Sequence, residues 1–89
     1  MNLYLVFPSI HYVMQAEELL QAAGIEIDLQ PLPRQISSDC GMCLTTTKSD
    51  LDQVLACLRS SSLPCPIRIY HSPDNQAFKL LLNSTPPST

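Results

Sequence analysis

The chain predicts an α+β sandwich: a four-stranded antiparallel sheet with two helices on one face, in the βαββαβ order of a ferredoxin-like domain. Three observations lead there. Apolar residues recur every second position in short stretches and every third or fourth in two longer ones, giving the order strand, helix, strand, strand, helix, strand. The eight prolines fall outside the periodic stretches and mark where they end. At 89 residues with 45% hydrophobic content, the chain is long enough to close one core and too short for two. A single domain over residues 1–83 is expected, with residues 84–89, around Pro86 and Pro87, as a disordered end.

Asn2 to Phe7 is apolar on both faces, Leu3, Leu5 and Phe7 on one and Tyr4 and Val6 on the other, as in a central strand that is covered. Pro8 ends it. Ser9 suits the N-cap of a helix whose buried stripe is Val13, Ala16, Leu19, Leu20 and Ala23, and Gly24 suits its C′ position. Ile25, Ile27 and Leu29 alternate with Glu26, Asp28 and Gln30, the pattern of a strand near a sheet edge that Pro31 and Pro33 close. Met42 and Leu44 alternate with Cys43 and Thr45, so a third strand runs over Met42 to Thr46. Ser49 with Asp52 reads as a capping box ahead of Leu51, Val54, Leu55 and Leu58, a second amphipathic helix. Ile67 to Tyr70 is a short fourth strand. Ala77 to Leu82 packs as one more strand or helix, and its length does not let periodicity decide. Leu5, Val13, Leu20, Ile27, Leu44, Val54, Leu58 and Ile69 are expected in the core.

A net charge of −3, with only five basic residues scattered along the chain, leaves no stripe to neutralise phosphates, so nucleic acid is not expected as a partner. The first apolar run has no cationic start and stops at Pro8, which argues against a secretory signal or membrane span and for a cytoplasmic protein. Its four cysteines are then expected to be reduced thiols.

Chemistry concentrates in Pro33-Arg34-Gln35-Ile36-Ser37-Ser38-Asp39-Cys40-Gly41-Met42-Cys43-Leu44. Serines and an aspartate favour turns there, so Cys40 is expected where an irregular loop feeds a strand and a thiol can be reached. Cys40 and Cys43 form a C-x-x-C pair, which serves redox exchange when it opens a helix and zinc when a second pair faces it. Here β-alternating residues follow, and Cys57, Cys65, His11 and His71 offer no second close pair, so neither a tightly bound zinc nor any other cofactor is expected. Cys57 reads as helix packing. Cys65, between Pro64 and Pro66, shares only part of the Cys-Pro-x-Pro site of small sulfur carriers, because Ile67 and Arg68 follow. Ser9 and His11 open the first helix, whose N-terminus would stabilise a thiolate if the Cys40 loop folded over it. Arg34 could pair with an anionic sulfur, while Asp39 would oppose it.

Phe7-Pro8-Ser9, Ala16-Glu17 with Leu20, Ala23-Gly24-Ile25 and above all the run Pro33 to Gly41 resemble the putative selenium/sulfur carrier protein-like family. The resemblance extends from about Leu3 to Tyr70. It implies a cysteine that holds sulfur or selenium for transfer, at the position of Cys40; that of Cys43 is often nonpolar in the family's pattern. The resulting expectation is a carrier or accessory protein, rather than a stand-alone enzyme, that accepts sulfur or selenium on Cys40 from a sulfur- or selenium-mobilising partner and passes it on. Ser9, His11, Arg34, Ser37, Ser38, Gly41 and Cys43 are its candidate binding residues. Two alternatives stand beside it. One is a ferredoxin-like interaction module using the Ser37 to Gly41 loop, which could pair as a homodimer; the other is a C-x-x-C redox or metal-binding protein.

Overall fold

The computed structural model describes residues 2–36, 41–60, 66–73 and 77–84. The first strand, β1 (Leu3–Val6), leads into helix α1 (Ile10–Ala22), and β2 (Asp28–Pro31) and β3 (Met42–Thr46) follow. A 3-10 turn (Lys48–Asp50) enters helix α2 (Leu51–Ser60), and β4 (Ile67–His71) and β5 (Lys79–Ser84) complete the order. All pairings are antiparallel, and the sheet runs β2-β3-β1-β4-β5.

The sheet has five strands, which corrects the four expected from sequence: Lys79–Ser84 pairs along β4 as an edge strand. Its register shifts between Ile69 and Tyr70, where Ile69 faces Leu82 but Tyr70 faces Leu80. A bulge of that kind breaks the two-residue period over the run Leu80-Leu81-Leu82, and of the strand and the helix left open there the strand is what forms. Ser84, placed in the chain's end by the sequence reading, belongs to this strand. Residues 85–89 lie outside the described residues.

Both helices pack on one face. Leu3, Leu5 and Phe7 from β1 and its extension, Leu44 from β3, and Ile67 and Ile69 from β4 form one buried cluster with Val13, Ala16 and Leu20 of α1 and Val54 and Leu58 of α2. All eight residues expected in the core are buried. Burial of this kind, at roughly 25 cal/mol per Å² of apolar surface, is the main favourable term holding helices to sheet. Thr46 shares the helix-covered face, and its hydroxyl donates to the Glu26 carbonyl at 2.8 Å, so burying it leaves no unmet donor.

The helix ends follow from named residues. Ala23 caps α1, the Gly24 N–H donates to Gln21 O and the Ile25 N–H to Leu20 O, both at 3.0 Å, with Gly24 at φ +81°. That is a Schellman motif with its glycine at C′, and Ile25 and Leu20 supply its apolar contact. At the other end Ser9 occupies the N-cap position, but its side chain makes no cap bond; only its carbonyl accepts, from Val13 N–H at 3.2 Å. The helical stretch starts two residues before the expected Ser49, with Thr47 at the N-cap of the 3-10 turn; Thr47 makes no side-chain cap bond, and its Oγ1 donates instead to the Asp50 carboxylate, Oδ2, at 2.9 Å.

β2 is shorter than the alternation suggested. Ile25 and Ile27 are buried in the core before pairing begins at Asp28, and Leu29 is 40% exposed. Its place at the sheet edge is as expected. Pro31 still pairs with Met42, and the Leu32 N–H donates to Gly41 O at 3.1 Å, so pairing runs past the first proline. With bonds alternating along the ladder, the Pro31 nitrogen points away from β3 and costs no hydrogen bond. Among the described residues no helix is long and apolar enough to cross a membrane.

Candidate functional site

The register gathers one end of the sheet. Val6 pairs with Arg68, Leu5 with Leu44, and Pro31 with Met42, so the exits of β1 and β2 and the entries of β3 and β4 lie together. Ser9 and His11 at the start of α1, Arg34 and Gly41 in the β2–β3 connection, and Pro66 before β4 all belong to that end. Ser37, Ser38, Asp39 and Cys40 lie outside the described residues, as does Cys65. Cys40 is held covalently to Gly41, whose position is fixed.

The connection itself is built from two local bonds and one buried side chain. Leu32 N–H to Gly41 O closes its mouth, and Ile36 N–H to Pro33 O at 3.1 Å makes a turn that leaves Arg34 and Gln35 exposed. Ile36 then turns inward and is only 4% exposed. It joins Val6 and Cys43 in a second buried cluster, flanked by Leu32, Tyr4, Tyr70 and Phe78. This cluster occupies the face that the helices leave open. The described part of the connection therefore meets the face opposite α1, and the expected fold of the Cys40 loop over Ser9 and His11 lies outside the described residues.

Gly41 returns the chain to β3 at φ +76°, in the left-handed region that an L side chain adopts only with strain. The residue before it is Cys40. Gly41 is exposed, and a β-carbon there would meet nothing within 4 Å, so its requirement for glycine is one of backbone conformation alone.

Cys43 is fully buried. It faces Gln30 across the β2–β3 ladder, and its Sγ donates to the Pro31 carbonyl at 3.8 Å. Cys40 and Cys43 thus differ in kind: one adjoins an exposed left-handed glycine, the other is sealed in the sheet. Tyr4 stands diagonally from Cys43, and burial, followed by the charge of Cys43, pushes its phenol above its ordinary value of 10.0. Arg68 Nη1 donates to the Tyr70 hydroxyl at 3.0 Å, with its guanidinium 5.8 Å from that ring, and Phe78 meets Tyr4 edge-on at 5.0 Å. Cys57 is half-buried and donates to Leu19 O at 3.5 Å, tying α2 to α1 in the packing role read from sequence. His11 is exposed and stacks edge-on against Tyr12, 5.6 Å between ring centres.

Sequence reading missed Ile36. Its signal was one apolar residue within a run of proline, serine and glutamine, where nothing in the local period explains it. Val6 and Tyr4 were the matching signal, since apolar residues on the second face of β1 need a cover.

One family's sequence description, "Putative Se/S carrier protein-like", matches residues 2–70. No curated protein matches the chain, and neither does any solved structure.

Proposed function

The chain belongs to the putative Se/S carrier protein-like family, and on that premise we propose that Cys40 is a carrier thiol which takes sulfur or selenium from one protein and delivers it to another. The Cys40 thiolate attacks the terminal sulfur of a donor persulfide, R–S–SH. The donor S–S bond breaks, R–S⁻ leaves with the bonding pair, and Cys40 becomes the persulfide. Delivery is the same step with Cys40 as leaving thiolate. No net oxidation or reduction occurs, so no cofactor is required.

The observation that bears most of this reading is the inaccessibility of Cys43 inside a family match that spans Cys40. A fully buried thiol cannot meet a protein donor, and Cys57 is engaged between the helices. A dithiol redox reading of C-x-x-C would need Cys43 within reach of its substrate. Arg34 is exposed on the same connection and is suited to hold the anionic sulfur, with Ser37, Ser38 and Gly41 offering hydroxyl and backbone donors. The strand order β2-β3-β1-β4, each crossover bearing a helix, supports a ferredoxin-like frame extended by β5. A cytoplasmic setting fits, since a carrier thiol must stay reduced.

Intact-mass analysis after incubation with a persulfide-forming enzyme tests the reading. Gain of one sulfur atom, located on Cys40 by peptide mapping and lost in Cys40→Ser, is expected. Loading that survives Cys40→Ser would remove this residue from the site.

A further inference from the structure

Among the described residues four large apolar side chains stay exposed, and three of them share one side of the molecule: Ile10 at 45%, Met14 at 58% and Leu29 at 40%. Leu29 lies on β2, an edge strand, and on the helix-covered side, as its partner Leu44 does. Ile10 and Met14, one turn apart, lie on the helix nearest that edge. The crossover from β1 to β2 skips β3 and carries α1, which packs on β3; the crossover from β3 to β4 skips β1 and carries α2. α2 therefore takes the other flank of α1, where the Cys57 thiol reaches Leu19 O. At about 100° per residue, Leu19 and Tyr12 fall on one side of the buried stripe Val13, Ala16 and Leu20, and Ile10 and Met14 fall on the other, toward β2.

The backbone of β2 carries open bonding groups along the same side. The bond from Leu32 N–H to Gly41 O sets the alternation of the ladder, so Asp28 and Gln30 turn their backbone groups to β3 and Leu29 turns its N–H and C=O outward. Pro31 has only a carbonyl to offer there.

We infer that this edge is where two copies of the chain pair, β2 against β2 about a two-fold axis at Leu29, with the exposed flank of α1 beside that of the second α1. In this register the two Leu29 residues exchange both of their outward bonds, and Asp28 of each copy stands directly opposite Gln30 of the other, whose amide can donate to the carboxylate. The neighbouring registers are worse. Moving one way sets Asp28 against Asp28, a like-charge pair, and moving the other way sets Leu29 against Pro31, which lacks the N–H. The helices match as well: α1 has no acidic residue in its first turn, and Glu17 and Glu18 stand in its latter half, so the two-fold brings the acidic half of each helix toward the positive N-terminal end of the other. Both copies use the same edge, so the pairing closes at two and sets their Gly41 ends apart, at opposite ends of one continuous sheet. The inference goes beyond the carrier reading and does not depend on it.

Sedimentation equilibrium of the reduced protein tests the association. The parent chain should be dimeric at about 100 μM and dissociate on dilution, as expected of a small interface. Leu29→Pro removes the outward N–H without touching the bonds of β2 to β3, and Met14→Glu places a charge on the exposed flank of α1. Each should weaken association by about tenfold or more, with circular dichroism and thermal unfolding showing that the variants remain folded. Cross-linking tests the register in a Cys40→Ser, Cys65→Ser background. Leu29→Cys should close a disulfide between the two copies under mild oxidation, since directly opposed Cα atoms lie about 5.5 Å apart. Asp28→Cys should cross-link at least about tenfold more slowly, because its two introduced thiols are offset along the strands beyond disulfide reach. A parent chain that stays monomeric at about 100 μM would overturn the inference. So would a dimer that Met14→Glu and Leu29→Pro leave intact, or cross-linking through Asp28→Cys as fast as through Leu29→Cys.

Discussion

Gly41 and Gly24 offer a paired perturbation in which stability and function can be separated. Both glycines are left-handed, at φ +76° and +81°, and neither would bring a β-carbon within 4 Å of anything. Replacing either with alanine therefore adds no collision, only the backbone cost of a left-handed L residue, about 1–2 kcal/mol. The loss of flexibility in the unfolded chain returns roughly 0.4–1 kcal/mol. A net destabilisation of about 1 kcal/mol follows for each, or a fall in melting temperature of about 4–8 °C for a domain of this size. Asparagine, which tolerates the conformation better, should cost less at both positions. The two sites differ in what adjoins them. Gly24 closes α1 at the far end of the sheet, while Gly41 joins Cys40 to β3. Differential scanning calorimetry should thus find Gly24→Ala and Gly41→Ala similarly destabilised, whereas persulfide loading should fall about tenfold only in Gly41→Ala. A melting temperature unchanged by Gly41→Ala would refute the strain assignment, and equal loss of loading in Gly24→Ala would refute the link between Gly41 and the carrier thiol.

Two further outcomes are expected. In the native protein a neutral alkylating agent at neutral pH should label Cys40 well before Cys43 or Cys57, because the first of these two is fully buried and the second is bonded to Leu19 O; peptide mass mapping that finds Cys43 labelled as fast as Cys40 would contradict its burial. Ultraviolet titration should place the Tyr4 phenol above 10.0, with part of the rise removed in Cys43→Ala, since burial is the larger cause and the charge of Cys43 the smaller. The sign for stability follows: the folded chain keeps the proton longer than the unfolded one, so the contribution of Tyr4 is complete below pH 10.0 and is lost as pH rises through the folded value. A pH-independent unfolding midpoint across that window would count against it.

The frame was legible where one physical cause set the pattern. The stripe Val13, Ala16, Leu20 and the odd positions of β1 face the same core, so periodicity located both helices and the first four strands. Gly24 at C′ was legible because a helix needs a left-handed residue there and glycine supplies it without strain. Legibility failed where two causes compete. β5 carries a bulge that breaks its period, and Ile25 and Ile27 are buried by the core before β2 begins to pair. The capping serine at position 49 was outcompeted by Thr47, whose hydroxyl reaches Asp50. For the site, spacing separated Cys40 from Cys43 by strand alternation, but the cover over Cys43 comes from Ile36, which no local pattern registers because it clusters with Val6, thirty residues earlier.

That contact also explains why a carrier would place two thiols three residues apart and use one. β3 is bonded on both sides, by β2 and by β1, so Cys43 cannot turn outward without opening two ladders. Gly41, one residue before β3, keeps only its carbonyl in the ladder and has left-handed freedom. Cys43 is thus held inside the paired strand, whereas Cys40 precedes that strand in the chain. On the carrier reading this division protects the cargo. A thiolate free to reach the Cys40 persulfide would attack its inner sulfur, form a Cys40–Cys43 disulfide and expel hydrosulfide, ending the transfer. Enclosed beneath Ile36, Cys43 is kept from that reaction, and variants that unseat Ile36 should release hydrosulfide from loaded protein faster than the parent does. Measuring free sulfide after loading checks this directly: no increase in Ile36→Ala, or an increase that persists in Ile36→Ala combined with Cys43→Val, would show that Cys43 is not the thiol being held back.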